Sequence, residues 1–205
     1  MSLTDEMRPA RIAHILFYDI VSFSLLPVGE QSRALDRLNA AVAASPAFQS
    51  ARAHDAVLVL PTGDGMALVF HDDLTAPVRC AAEIARALER AVPLRAGIHS
   101  GLIQMHLDLS GRENLVGEGI NTGHRVLECA GEGEVLLSAE HARLLLELGG
   151  WGDQLVERGP ATVKHGLRLD LYQLRTDYTP SPVPSPAPVA PVAPPADGPT
   201  DVVLL

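Results

Sequence analysis

Two short apolar runs, Ala56 to Leu60 and Met66 to Phe70, are separated only by Pro61-Thr-Gly-Asp-Gly65. Runs of this length, rich in aliphatic and β-branched residues, read as strands, and a proline with two glycines between them closes a tight hairpin. The hairpin commits this part of the chain to an antiparallel sheet and puts Asp64 at its tip. Arg11 to Asp19 is a longer β-rich apolar run that reads as a central strand, and it too ends on a carboxylate.

Helical periodicity fills the intervals. Glu30 to Ala44 carries Leu35, Leu38 and Val42 at helical spacing. Asp73 to Ala91 has an apolar face of Val78, Ala81, Ala82, Ile84, Ala85 and Leu88, with Asp72 or Asp73 as its N-cap. Leu94 to His99 and Leu102 to Leu107 read as the next pair of strands, and Gly117 to Ala130 as a third helix. Glu134 to Leu137 is a strand that Ser138 caps into a fourth helix ending at Gly149-Gly150, while Trp151 to Glu157 and Val163 to Leu174 complete the sheet. Helices packed on one face of a mostly antiparallel sheet make the domain α+β, of the ferredoxin-like kind.

Composition sets the limits of this domain. The 205 residues, 47% of them hydrophobic, suffice for one core. Residues 1–10 form an N-terminal extension, 11–176 one folded unit, and 177–205 a Pro/Ala-rich disordered tail whose prolines remove backbone donors. The tail ends in Asp201-Val-Val-Leu-Leu205, an apolar terminus that reads as a frayed, solvated end, with docking on a partner as the alternative. A formal net charge of -9 argues against binding bulk nucleic acid or anionic lipid, which need a positive field. No signal peptide and no bilayer-spanning segment is read in the sequence, and Cys80 and Cys129 fit neither a metal nor a disulfide framework. The expectation is a cytoplasmic protein without direct membrane insertion, its two cysteines buried thiols.

Asp19, at the end of an apolar strand, and Asp64, in a Gly-Asp-Gly turn, converge at one end of the sheet if their strands are neighbours. Paired carboxylates on a rigid edge suit two hard divalent cations that keep water and phosphate oxygens as further ligands. Asn121 and Arg125, four residues apart in Gly117-Glu-Gly-Ile-Asn-Thr-Gly-His-Arg125, share a helical face, an amide and a guanidinium suited to a ribose and a phosphate oxygen. The eight histidines show no zinc spacing and read as structural or surface residues, and no serine sits in a nucleophile elbow.

Phe17-Tyr-Asp-Ile-Val-Ser-Phe-Ser24, Thr62-Gly-Asp-Gly-Met-Ala-Leu-Val-Phe70, Leu94-Arg-Ala-Gly-Ile-His-Ser-Gly101 and Val116 to Arg125 resemble, in order, the four signature blocks of class III adenylyl and guanylyl cyclases. Glu132 to Ser138 and Val163-Lys-His-Gly166 resemble the closing segments of that family, so the likeness covers roughly residues 10–176. It implies a ferredoxin-like cyclase catalytic domain that converts a nucleoside triphosphate to its 3′,5′-cyclic monophosphate and pyrophosphate. It implies two divalent cations, Mg²⁺ or Mn²⁺, held by Asp19, Asp64 and the backbone of Ile20. Ile20, Phe23 and Ser24 then belong to the turn that holds the triphosphate, Asn121 orients the ribose, Arg125 stabilises the transferring phosphate, and Lys164 meets the terminal phosphates. Sites shared across a head-to-tail homodimer are part of the same implication.

Where purine-specific relatives read adenine with a lysine and an acidic residue, this chain has Leu60 and Asn114. Leu60 offers no hydrogen bond and Asn114 can donate or accept, so the base stays open. An adenylyl cyclase with a substituted pocket is the preferred reading. A pyrimidine cyclase resembling those of anti-phage signalling and an inactive cyclase-like nucleotide-binding or dimerisation module are the alternatives.

Overall fold

The computed structural model describes residues 9–88, 91–107 and 113–175. The tail from 177 onward lies outside the described residues. Among the described residues eight strands form one sheet: β1 (Arg11–Ile20), β2 (Val57–Pro61), β3 (Gly65–Phe70), β4 (Leu94–Leu107), β5 (Glu113–Val116), β6 (Val135–Ser138), β7 (Leu155–Thr162) and β8 (Arg168–Leu174). Their order is β2-β3-β1-β4-β6-β8-β7, with β5 paired to the far end of β4. Every pair is antiparallel except β4 with β6. The helices are α1 (Val28–Ala44), α2 (Pro46–Ala53), α3 (Ala76–Leu88), α4 (Glu118–Glu128) and α5 (Ala139–Leu148).

Alternation along β1 assigns the two faces. Leu16, Tyr18 and Ile20 join the main core with α1, α2, α3 and α5, whereas Ala13, Ile15 and Phe17 join a second cluster with Ala67, Val69, Ile103 and Leu127. Tyr18 is buried and donates its hydroxyl to the Ala81 carbonyl at 3.2 Å, so the strand is fixed to α3 one residue before Asp19. Fully buried side chains such as Leu38 contribute about 1.5–3 kcal/mol each relative to exposure. The second face carries α4 alone among the described helices, which corrects the one-sided arrangement expected from the sequence. Gly97 permits it, because a Cβ there would stand 2.3 Å from the backbone nitrogen of Leu127.

Other boundaries moved for local reasons. β4 runs unbroken through Gly101, where two separate strands were expected. α2 was not foreseen, although Ser45 accepts a hydrogen bond from Phe48 N–H and Pro46 opens the first turn. α3 begins at Ala76, later than the Asp73 start expected, and Asp73 sits in the turn before it, its Oδ1 accepting from Thr75 N–H at 2.8 Å. Cys80 is buried and its thiol is pushed up to about 12 by desolvation, whereas Cys129 is only half-buried. Among the described residues no helix is long and apolar enough to cross a membrane.

Candidate active site

β3 and β4 flank β1 in a register that sets Asp19 opposite both Gly65 and Arg95. Gly65 has to be glycine: a Cβ would lie 1.9 Å from the Tyr18 carbonyl oxygen, so any side chain would push the hairpin away from β1. Asp64 immediately precedes it, and its carbonyl accepts from Ile20 N–H at 3.1 Å, which ties the hairpin tip to the end of β1. The side chain of Asp19 is 13% exposed, and Arg95 donates to its Oδ2 through Nε at 2.7 Å and Nη2 at 2.5 Å. Burial raises the Asp19 carboxyl above its ordinary pKa; the Arg95 hydrogen bonds pull it down, and the charge and hydrogen bonding of Asp64 push it up again. The Asp64 carboxylate therefore lies close enough to disfavour the ionised form of Asp19. A second cation beside Arg95 would relieve that repulsion.

The chain leaves β1 through a narrow turn. Val21 N–H bonds the Pro93 carbonyl at 2.8 Å, and Ser22 adopts a left-handed conformation at φ 58° that a non-glycine residue rarely takes. Phe23–Leu25 follow as one turn of 3₁₀ helix, Phe23 half-buried against the main core and Ser24 exposed. Gln31 on α1 donates to the carbonyls of Phe23 at 3.2 Å and Leu26 at 3.0 Å, clamping the turn. This polar support was not visible in the sequence.

A second group of predicted residues gathers on α4. Gly119, Thr122, Gly123, Val126 and Leu127 are buried against the sheet, so Asn121 is left exposed and Arg125 half-buried. His124 meets Phe17 edge-on with ring centroids 5.7 Å apart. Glu128, one turn beyond Arg125, pairs with Lys164 Nζ at 2.5 Å, which brings Lys164 to the same helix. That hydrogen bond, assisted by the charges of His124 and Arg95, holds the Glu128 carboxyl below its ordinary pKa. Asp19, Ile20 and Asp64 thus form one cluster, and Asn121, Arg125 and Lys164 another on the outer side of α4. Leu60 lies half-buried against the second apolar cluster; Asn114 is exposed on β5, its Oδ1 accepting from Leu115 N–H at 2.8 Å.

Among the described residues, no group of three or more His, Cys, Asp or Glu side chains is placed to hold a metal. Two carboxylates and backbone oxygen make an open donor set, which suits a hard cation that retains water and phosphate ligands better than a closed protein cage would. Arg95, already on Asp19, occupies the position of positive charge. It escaped sequence reading because its partner is set by the β1/β4 register.

No family profile and no curated protein sequence matches the chain. Solved structures do. The guanylate cyclase domain of RhGC from Catenaria anguillulae in complex with GTP superposes with a TM-score of 0.65 at 18% identity, covering 82% of this chain and 98% of that one. The adenylyl cyclase CyaB from P. aeruginosa gives a TM-score of 0.65 at 18% identity over 82% of this chain and 95% of that one. The catalytic core of a rhodopsin-guanylyl cyclase with converted specificity, in complex with ATPalphaS, gives 0.68 at 19% identity over 83% and 98%. At these identities the likeness establishes architecture: the chain has the fold of the class III adenylyl and guanylyl cyclase catalytic domain.

Proposed function

We propose that the protein is a nucleotidyl cyclase that converts a nucleoside triphosphate, ATP by preference, to its 3′,5′-cyclic monophosphate and pyrophosphate. The observation that carries this reading is the convergence of Asp19 and Asp64 at the sheet end, where Asp64 helps raise the Asp19 pKa, beside the clamped turn after β1. Asp19, Asp64 and the backbone of Ile20 would hold two divalent cations, Mg²⁺ or Mn²⁺. When bound, the ions make the ribose 3′-hydroxyl more acidic and neutralise charge on the phosphates.

The side chains do the rest. Arg95 exchanges part of its contact with Asp19 for phosphate oxygen, and the Phe23-Ser24 turn cradles the triphosphate. Asn121 orients the ribose while Arg125 donates to the α-phosphate as its charge builds toward the transition state. Lys164 leaves Glu128 to meet the terminal phosphates; both side chains of that pair reach solvent, so the exchange costs little. Leu60 and Asn114 border the base, and with Asn114 Oδ1 engaged by Leu115 its NH₂ group is the donor left for a ring nitrogen or carbonyl. Exposure of Asn121 on the outer side of α4 favours completion of each site by a second copy, so the working unit is a homodimer.

Incubation with ATP, GTP, CTP and UTP separately, with Mg²⁺ or Mn²⁺, tests the reading and names the base. A cyclic product from ATP above the other three is expected; a pyrimidine product would move the assignment to a pyrimidine cyclase, and silence from folded dimer would leave a binding module.

A further inference from the structure

His99 points from β4 toward α4, on the same face as Gly97 and Gly101, and is 6% exposed. Its Nδ1 lies 2.8 Å from Ser138 Oγ. Ser138 is fully buried and its oxygen accepts from His141 N–H at 3.4 Å as the N-cap of α5. Ser138 Oγ and His99 Nδ1 thus share a hydrogen bond whose direction follows the ring tautomer. Burial supports the neutral form by lowering the pKa, against the opposing pull of Glu140 on α5 and Glu118 on α4.

The ring stands at the crossing of β4 and α4. A Cβ on Gly101 would come within 2.7 Å of His99 Nε2 and 2.8 Å of the Gly119 Cα, so strand and helix touch there almost backbone to backbone. One turn on, a Cβ on Gly123 would meet the Phe17 ring at 2.9 Å and His99 Cβ at 3.6 Å. Gly119 and Gly123 bracket Asn121 two residues away on either side. At these two glycines α4 rests on Phe17, His99 Cβ and the Gly101–Leu102 backbone, while Thr122, Val126 and Leu127 fill the rest of its buried face.

We propose that His99 is a positioning residue, whose ring, pinned by Ser138, seats α4 and thereby aims Asn121 and Arg125. The reaction roles of those two residues rest on the cyclase reading; the seat itself does not. Misplacement of a catalytic group by about 1 Å costs on the order of 100-fold in rate, so a loosened seat acts on turnover before it acts on ground-state binding.

Paired substitutions separate the pin from simple filling of space. The amide of His99→Asn reaches the region of Nδ1 and can still engage Ser138, whereas that of His99→Gln reaches the region of Nε2 and cannot. In His99→Asn, kcat is expected within about threefold of wild type, with α4 amides equally protected from hydrogen exchange. In His99→Gln, kcat falls roughly 30- to 100-fold with the triphosphate KM within about threefold, and the amides of residues 119–126 exchange faster. Equal kcat in the two variants, a loss expressed in KM alone, or unchanged α4 protection in His99→Gln would overturn the proposal. Absence of cyclic product from wild type would sink the cyclase reading instead, while the α4 exchange comparison would still decide whether His99 is the seat.

Discussion

Arg95 and Asp19 face one another across β4 and β1, with Nε and Nη2 of the guanidinium both donating to Oδ2 at 2.7 and 2.5 Å. The pair holds the carboxylate in place, and it also occupies an oxygen that a cation would need. Arg95→Gln should therefore bind Mn²⁺ without nucleotide roughly three- to tenfold more tightly, because the ion no longer displaces a charge-assisted bond. The same variant should raise KM for the triphosphate. Electron paramagnetic resonance of free Mn²⁺ reads the first effect and initial rates the second; weaker Mn²⁺ binding would show that Arg95 supports the site rather than competing for it.

The homodimer account makes a prediction about mixtures. Asp64→Ala and Arg125→Ala are each expected to be inactive alone, since each removes one half of every shared site. After subunit exchange, half of the dimers are mixed and each has one complete site of two, so about a quarter of wild-type turnover should return. Exchange verified by mass spectrometry with no recovery would contradict a site shared between copies.

Gly65 opposite Asp19 is a steric requirement. Gly65→Ala places a methyl group on the Tyr18 carbonyl, and the hairpin has to shift; a loss of about 1–3 kcal/mol is expected by urea denaturation. Activity should fall further than stability explains, because Asp64 moves with the hairpin. Wild-type turnover in this variant would mean that the position of Asp64 is not critical.

Stability should depend on the buried histidines. His14 and His141 share Ser100 Oγ at 2.7 Å each, and His141, fully buried with an unpartnered Nε2, has its pKa held well below the ordinary 6.5, first by desolvation and then by His14 and His99. A lowered folded-state pKa means that the unfolded chain binds protons more readily. The stabilising contribution is present above pH 6.5 and is lost as pH falls below it, with a slope of up to about 1.4 kcal/mol per pH unit for each such group. Urea midpoints measured from pH 8 to 5 should decline below 6.5, and less steeply in His141→Gln. A flat profile would mean that the cluster accepts protons without cost.

The strands and helices with strong periodicity, β1, the β2-β3 hairpin, α1 and α4, were legible in the sequence because their apolar spacing has one solution. The convergence of Asp19 and Asp64 at one end of the sheet was legible because one ends an apolar strand and the other sits in the tip of a glycine hairpin. Tertiary pairing was not legible. The four residues of β5 become a strand only by lying against the end of β4, with Asn114 opposite His106. Gly101 looked like a break, yet β4 passes through it because the glycine serves the crossing with Gly119. The four-residue spacing of Asn121 and Arg125 put them on one side of α4 without telling which face of the sheet the helix would cover. Arg95, Gln31 and Ser138 act through partners 76, 8 and 39 residues away, distances over which sequence pattern carries no register.

The measurement that bears most directly on the whole account is product stoichiometry. Purified protein with ATP and Mg²⁺ or Mn²⁺ should release 3′,5′-cyclic AMP and pyrophosphate in equal amounts by mass spectrometry and a coupled pyrophosphate assay, and Asp64→Ala should release neither. Pyrophosphate without cyclic nucleotide, or product that persists in Asp64→Ala, would contradict a cyclase built on the paired carboxylates.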